Sequence, residues 1–167
     1  MKRREEIINI IAQSDTPISA SRLARHFHVS RQSIVGDIAL LRAAGHQIIA
    51  TPRGYIMIRS DSRIIKTIAV KHNSEQTEEE LNLMVDMGAL VEDVIVEHPL
   101  YGEIRGNLHI QSRHDVKEFI TKYQQAHTTL LSSLTHGIHL HTIRCDNEEV
   151  YQRVYQALKE KGFLYEE

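Results

Sequence analysis

Residues 29–42 read VSRQSIVGDIALLR, and this stretch decides the fold of the N-terminal third. Ser30 is a helix N-cap residue, since its hydroxyl can accept a hydrogen bond from a backbone N–H of the first turn. On a wheel of about 100° per residue, Ile34, Ile38 and Leu41 fall in one narrow apolar stripe that faces a small core. Gln32, Gly36, Ala39 and Ala43 lie on the opposite side, flanked by Arg31, Ser33, Val35 and Arg42. A solvated helix face ordinarily carries long charged side chains, whereas this one is small, with a polar, N–H-rich beginning. That combination suits a helix lying deep in a DNA major groove with its first turn against base edges and phosphates. Gly36 costs about 1 kcal/mol relative to Ala in a helix interior, a cost that close backbone approach to a ligand would offset.

Working outward, residues 2–13 carry Ile7, Ile8, Ile10 and Ile11 among charged neighbours, an amphipathic helix ended by Asp15-Thr16-Pro17. Ser19 caps a second short helix whose apolar face holds Leu23, Ala24 and Phe27. Beyond the third helix, closed by Gly45, Ile48-Ile49-Ala50, a Thr51-Pro52-Arg53-Gly54 turn and Tyr55-Ile56-Met57-Ile58 spell a β-hairpin. Three helices with a tight turn before the third, then a hairpin, make a winged helix-turn-helix. Its expected partner is a double-stranded DNA operator. Ser30, Arg31, Gln32 and Ser33 are the candidate contacts, because Arg and Gln pair bidentately with guanine and adenine edges. Arg53 at the hairpin tip would reach a phosphate or the minor groove, with Tyr55 close by.

The chain has 167 residues, enough for one large domain or two small ones, and its 41% hydrophobic and 25% charged content is that of a globular protein. The net charge of −2 hides a division: residues 1–59 hold nine Lys/Arg against four Asp/Glu, and the remainder holds eleven against eighteen. A basic third joined to an acidic two-thirds points to two domains with different partners, one of them polyanionic. Ser60-Asp61-Ser62 is the expected boundary, giving a DNA-binding domain over 1–60 and a regulatory domain over 61–167. No apolar run approaches the roughly 20 residues needed to span a bilayer, and Glu5, Glu6 and Asn9 argue against a signal peptide. The single Cys145 forms no intrachain disulfide, which favours a reducing cytoplasm.

Past the boundary the pattern predicts strand 63–71, helix 77–89, strand 91–97, strand 103–110, helix 112–132, strand 137–144 and helix 147–161. Asp146 is the expected cap of the last helix, and Ser112 with Asp115 that of the middle one. The first six elements spell βαββαβ, so the expected class is α+β: a winged helix-turn-helix followed by a ferredoxin-like α/β sandwich. In such a sheet the fourth strand lies antiparallel beside the first, which brings His72 near Gly137-Ile138-His139-Leu140-His141. Residues two apart on a strand share a face, so His139 and His141 form a bidentate pair. With His72 they make a candidate site for a divalent metal. A fourth ligand can come from Glu78, Glu79 or Glu80, and the helical wheel does not choose among them. Cys145 shares the strand face of His139 and His141 but lies too far along it for the same ion, and reads as a buried, inert thiol. His109, His114, His127 and His136 read as ordinary exposed or hydrogen-bonded histidines. The turn joining the middle strands, Glu97-His98-Pro99-Leu100-Tyr101-Gly102-Glu103-Ile104-Arg105, is a candidate effector site. Arg105 would hold a carboxylate there, and His98 or Tyr101 would stack on or bond a small ring.

The stretch 29–42 resembles the winged-helix module of biotin-repressor type. The strings DVIVEHPLYGEI (93–104) and LTHGIHLHTI (134–143) resemble the three-histidine domain of NiaR-type niacin-responsive repressors. This second resemblance is specific, and together the two span nearly the whole chain; Gly36 departs from the polar residue the pattern would place there. The resemblance implies a homodimeric transcriptional repressor of NAD biosynthesis and niacin uptake genes, with nicotinic acid as corepressor. It also implies a transition-metal site, zinc or nickel, whose ligands map onto His72, Glu80, His139 and His141. The alternative expectation is a repressor whose effector is the metal ion itself. No enzymatic activity is expected, because no nucleophile stands beside a histidine and the candidate acids are ligands or solvated.

Overall fold

The computed structural model describes residues 2–59, 61–126 and 128–166. His127, and Ser60 of the expected boundary, lie outside them. The chain separates into two compact units, Met1–Ser60 and Asp61–Glu167.

The N-terminal unit consists of α1 (Lys2–Ala12), α2 (Ala20–Phe27), α3 (Arg31–Ala43) and the hairpin β1 (Ile48–Thr51)–β2 (Gly54–Met57). Ile34, Ile38 and Leu41 of α3 are buried against Ile7, Ile11, Leu23 and Ile48, as the apolar stripe requires. Ser19 and Ser30 both cap their helices, accepting from Arg22 N and Ser33 N at 3.1 Å. The hairpin is fastened to the start of α2 by a two-way backbone bridge between Ile18 and Tyr55, at 2.9 and 2.8 Å. Gly54 makes that approach possible: a Cβ there would sit 2.3 Å from the Ile18 carbonyl carbon, at a φ of +135°.

The second unit consists of β3 (Ile64–Lys71), α4 (Thr77–Asp86), β4 (Leu90–His98), β5 (Gly102–Ile110), α5 (Arg113–Ala126), β6 (Ile138–Cys145) and α6 (Glu148–Glu160). With the N-terminal unit the architecture is α+β. The element order is βαββαβ, and β6 pairs antiparallel with β3. The sheet order is nevertheless β3-β6-β4-β5. A ferredoxin-like sheet has its first and third strands inside, whereas here those strands, β3 and β5, form the edges. The side chains explain the difference. β3 carries Lys66 and Lys71 and is mostly exposed over its first half, β5 exposes Gly102, Glu103 and Arg105, while β4 and β6 hold the buried rows. Lysines on an edge also discourage further pairing. The outer edge of β3 is closed by the C-terminal segment, through Lys71 N to Phe163 O at 2.8 Å and Tyr165 N to Ala69 O at 2.9 Å.

Helices α4, α5 and α6 contribute Leu81, Met84, Val116, Val150, Val154 and Leu158 to one core with Ile68, Val70, Ile143 and Cys145 of the sheet. Three helix ends depart from expectation, the first being α4, which stops at Asp86 rather than 89. α5 ends at Ala126 rather than 132, and a short 3-10 turn, Leu131–Thr135, follows; the β-branched pair Thr128-Thr129 disfavours continuation. Asn147, not Asp146, caps α6, accepting from Val150 N at 3.0 Å. Ser112 and Asp115 do cap α5, with Asp115 N donating to Ser112 Oγ at 3.1 Å.

Candidate metal centre and nucleic-acid interface

Strand alternation places His139 and His141 on the helix-facing side of β6, opposite Val70 and Ile68. His72 follows β3 directly, its N–H donating to Gly137 O at 3.3 Å. Gly137 determines this junction. Its φ is +90°, and a Cβ there would lie 2.2 Å from the His72 carbonyl oxygen. Across the core, α4 buries Thr77, Glu80, Leu81 and Met84 on one stripe while Glu78 and Glu79 are exposed. The buried Thr77 extends the stripe and selects Glu80, the discrimination that Met84 and Leu81 alone do not make.

The four side chains meet in a dry pocket. His72 and His139 present Nε2 to Glu80 Oε2, the latter at 3.3 Å, and His141 presents Nε2 to Glu80 Oε1. The imidazole centroids of His72–His139 and His139–His141 are 4.9 and 4.8 Å apart, with each pair of rings perpendicular. His72, Glu80 and His139 bring ligand atoms within 4.8 Å of one another. The opposite nitrogens have a uniform arrangement: Nδ1 of His72, His139 and His141 faces the carbonyls of Asn73, Gly137 and Asp93 at 2.6, 2.9 and 2.6 Å. A carbonyl only accepts, so each Nδ1 carries a proton and each Nε2 is the nitrogen left to face Glu80. Three Nε2 atoms therefore converge on one carboxylate, where they would offer lone pairs to a cation and otherwise share protons with Glu80, and His72 Nε2 and Glu80 Oε1 are buried without a hydrogen-bond partner. Nitrogen and oxygen donors so disposed fit a four-coordinate divalent cation.

Burial alone would raise the pKa of Glu80, but His141 and His139 outweigh it and hold the carboxyl below its ordinary range. Burial lowers the pKa of His72 against the pull of Glu80, whereas at His141 the same penalty is overcome by Glu80. Burial raises the thiol pKa of Cys145, in keeping with an inert core cysteine.

Asp93, which the sequence did not single out as a site residue, anchors one corner of the cluster. Against β6, the four steps of β4 from Val91 to Ile95 match only three of β6, from Ile143 to Leu140, so Asp93 sits in a bulge; against β5 the extra residue lies on β5 instead, between Asn107 and Ile110. The bulge turns its carbonyl toward His141 Nδ1, while Oδ1 accepts from Thr142 N at 2.8 Å. Its other oxygen pairs with Arg105. Arg105, expected to hold an effector's carboxylate, pairs here with carboxylates of the chain itself, Asp93 and Glu103. His98 Nδ1 accepts from Leu100 N and Tyr101 N at 3.1 and 3.3 Å, its ring 5.2 Å from that of Tyr101. Tyr101 is 72% exposed at the tip of the hairpin. His98, Tyr101 and Arg105 share this hairpin.

In the N-terminal unit, Arg31 and Gln32 are exposed at the start of α3 and make no hydrogen bond or ion pair among the described residues. The hydroxyls of Ser30 and Ser33 lie 2.9 Å apart, and Ser30 Oγ is committed to its cap. Gln32, Gly36, Ala39 and Ala43 are all exposed, so the small face of α3 is open. Arg53 occupies the hairpin turn, while Tyr55 is half-buried against the core. Asp37, unnoticed in the sequence, is buried within α3 and bonds Arg3 of α1 at 2.7 Å, a contact that raises the pKa of Arg3.

A winged helix-turn-helix joined to a domain with a buried three-imidazole, one-carboxylate cluster defines a DNA-binding regulator. The family comparisons agree on both parts. Residues 3–56 match the HTH domain and residues 65–167 match the 3H domain. The chain is 45% identical over 166 residues to the probable transcription repressor NiaR of Thermotoga maritima, covering 99% of this chain and 95% of that one. It is 39% identical over 166 residues to the transcription repressor NadR of Bacillus subtilis, covering 97% and 92%. The chain belongs to the NiaR/NadR family of 3H-domain transcription repressors. No helix among the described residues is long and apolar enough to cross a membrane.

Proposed function

We propose that the chain is a nicotinic acid-responsive repressor of NAD biosynthesis and niacin uptake genes that carries one divalent transition metal, zinc or nickel, in its second domain. The observation that carries the metal reading is the common orientation of the three histidines, each turning Nδ1 to a backbone carbonyl and Nε2 to the buried Glu80 carboxylate. His72, Glu80, His139 and His141 are the ligands. Arg31 and Gln32 read base edges, Ser30 and Ser33 present the N-terminus of α3 to phosphate, and Arg53 with Tyr55 reaches from the wing. His98, Tyr101 and Arg105 are the effector contacts that the sequence supports. Two copies set their recognition helices about one DNA turn, roughly 34 Å, apart on a pseudo-palindromic operator. Nicotinate acts by linkage: it shifts operator affinity only because it binds the DNA-competent dimer more tightly than the incompetent one.

The burial of Glu80 at 0% exposure favours a second reading, since four protein donors leave no coordination position for an organic ligand and the metal would then itself be the effector. A gel-shift assay at fixed salt separates the two. Nicotinate, but not nicotinamide, restores operator binding in the first case. In the second, zinc or nickel added to chelator-stripped protein restores it without nicotinate.

A further inference from the structure

A recess of about 500 Å³ opens on the outer side of the His72–Gly137 junction. That volume lies within the range of roughly 300–1,000 Å³ usual for small-molecule sites. Lys71 and His136 line it, with Asn73 and the serines at 74, 132 and 133, and no carboxylate contributes to its wall among the described residues. In a domain with eighteen acids against eleven bases, such a wall is a local exception. A second recess on the same domain has the opposite character. Glu75, Glu78, Glu79 and Asp86 border it, and its two cations are spent, Arg113 on Asp86 at 2.5 Å and Lys161 on Glu79 at 3.4 Å.

Two features tie the first recess to the cluster behind it. His72 forms part of its wall, and the Asn73 carbonyl that fixes the His72 tautomer belongs to another lining residue. The turn above it holds two successive residues in the left-handed region, His136 at φ +54° and Gly137 at φ +90°, fastened by Gly137 N to Ser132 O at 2.9 Å. His136 is the left-handed cap that ends the 3-10 turn, and with Gly137 it fixes the wall of the recess at the His72 junction.

We propose that this recess, rather than the 98–105 hairpin, seats the anionic effector, with Lys71 and His136 holding its carboxylate. The inference rests on the effector reading above and relocates it. Occupancy is transmitted to His72 through Asn73, so the ligand and the imidazole cluster bias one another.

The test is an NMR titration of the metal-loaded, full-length protein with nicotinate, benzoate and nicotinamide. Both carboxylates are expected to shift the backbone amides of residues 71–74 and 132–137 saturably. Neutral nicotinamide should bind about tenfold more weakly, the loss expected for a charge-assisted contact. Lys71→Met and His136→Asn, the latter suited to a left-handed backbone, should each weaken nicotinate by about tenfold at unchanged metal content. Nicotinate shifts confined to residues 98–105, or full affinity in both variants, overturn the recess and leave the corepressor reading standing. Benzoate in the recess with no nicotinate binding anywhere supports the recess and removes the corepressor reading. Binding of neither overturns both.

Discussion

Gly137→Ala is the perturbation that most sharply separates the account of the imidazole cluster from a generic view of a turn. The added methyl would stand 2.2 Å from the His72 carbonyl oxygen, at a φ of +90°. An ordinary carbon–oxygen approach of about 3.2 Å demands a displacement of about 1 Å, whereas metal–ligand distances tolerate about 0.2 Å. The left-handed backbone costs roughly 1–2 kcal/mol and the overpacking roughly 1–3, about 2–5 kcal/mol together. At about 4–8 °C per kcal/mol for a domain near 100 residues, melting should fall by roughly 10–20 °C or more. The assay is a thermal melt with and without chelator, alongside metal analysis. Wild-type protein should lose stability on chelation, while the variant should be metal-poor and indifferent to chelator. A Gly137→Ala protein with stoichiometric metal and a chelator-sensitive melt would refute the claim that this glycine places His72.

Three further substitutions probe other parts. Gly36→Ala fills open space in the middle of α3 and should stabilise the fold by about 1 kcal/mol; if the small face seats in the groove, operator affinity should fall severalfold or more, as a gel shift would show. Asp93→Asn keeps an acceptor for Thr142 but removes the charge that holds Arg105. Because His141 is held by the Asp93 backbone carbonyl, which the change leaves in place, metal binding should weaken by less than about tenfold in a cobalt titration followed by its visible bands. Asp37→Ala removes the ion pair that ties α3 to α1, but the exposed Arg3 rehydrates, so denaturant melts should show only a small loss of stability.

Much of this was readable in the chain because it follows local rules. The caps Ser19 and Ser30 need only a hydroxyl before an apolar stripe. His139 and His141 share a face through the period of two, and a turn rich in Pro and Gly joins β4 to β5. The features that were not readable are those that break periodicity or depend on partners distant in sequence. Nothing in Glu92-Asp93-Val94 announces a bulge, because its extra residue shows only against β6. The interior position of β6 reflects competition for β3, whose outer edge is taken by Leu164 from the far end of the chain. Asp37 looked like one acid among many until Arg3, 34 residues earlier, was seen beside it. Arg105 is expected from the sequence to hold an effector's carboxylate, and the sequence could not say that Asp93, twelve residues earlier, would pair with it.

The most direct measurement is anomalous X-ray scattering from crystals of untagged protein prepared without added metal. The account predicts one peak bounded by Nε2 of His72, His139 and His141 and the carboxylate of Glu80, with an absorption edge that names the ion. A map in which those four groups surround only water or protons, in protein that still binds its operator, would contradict it.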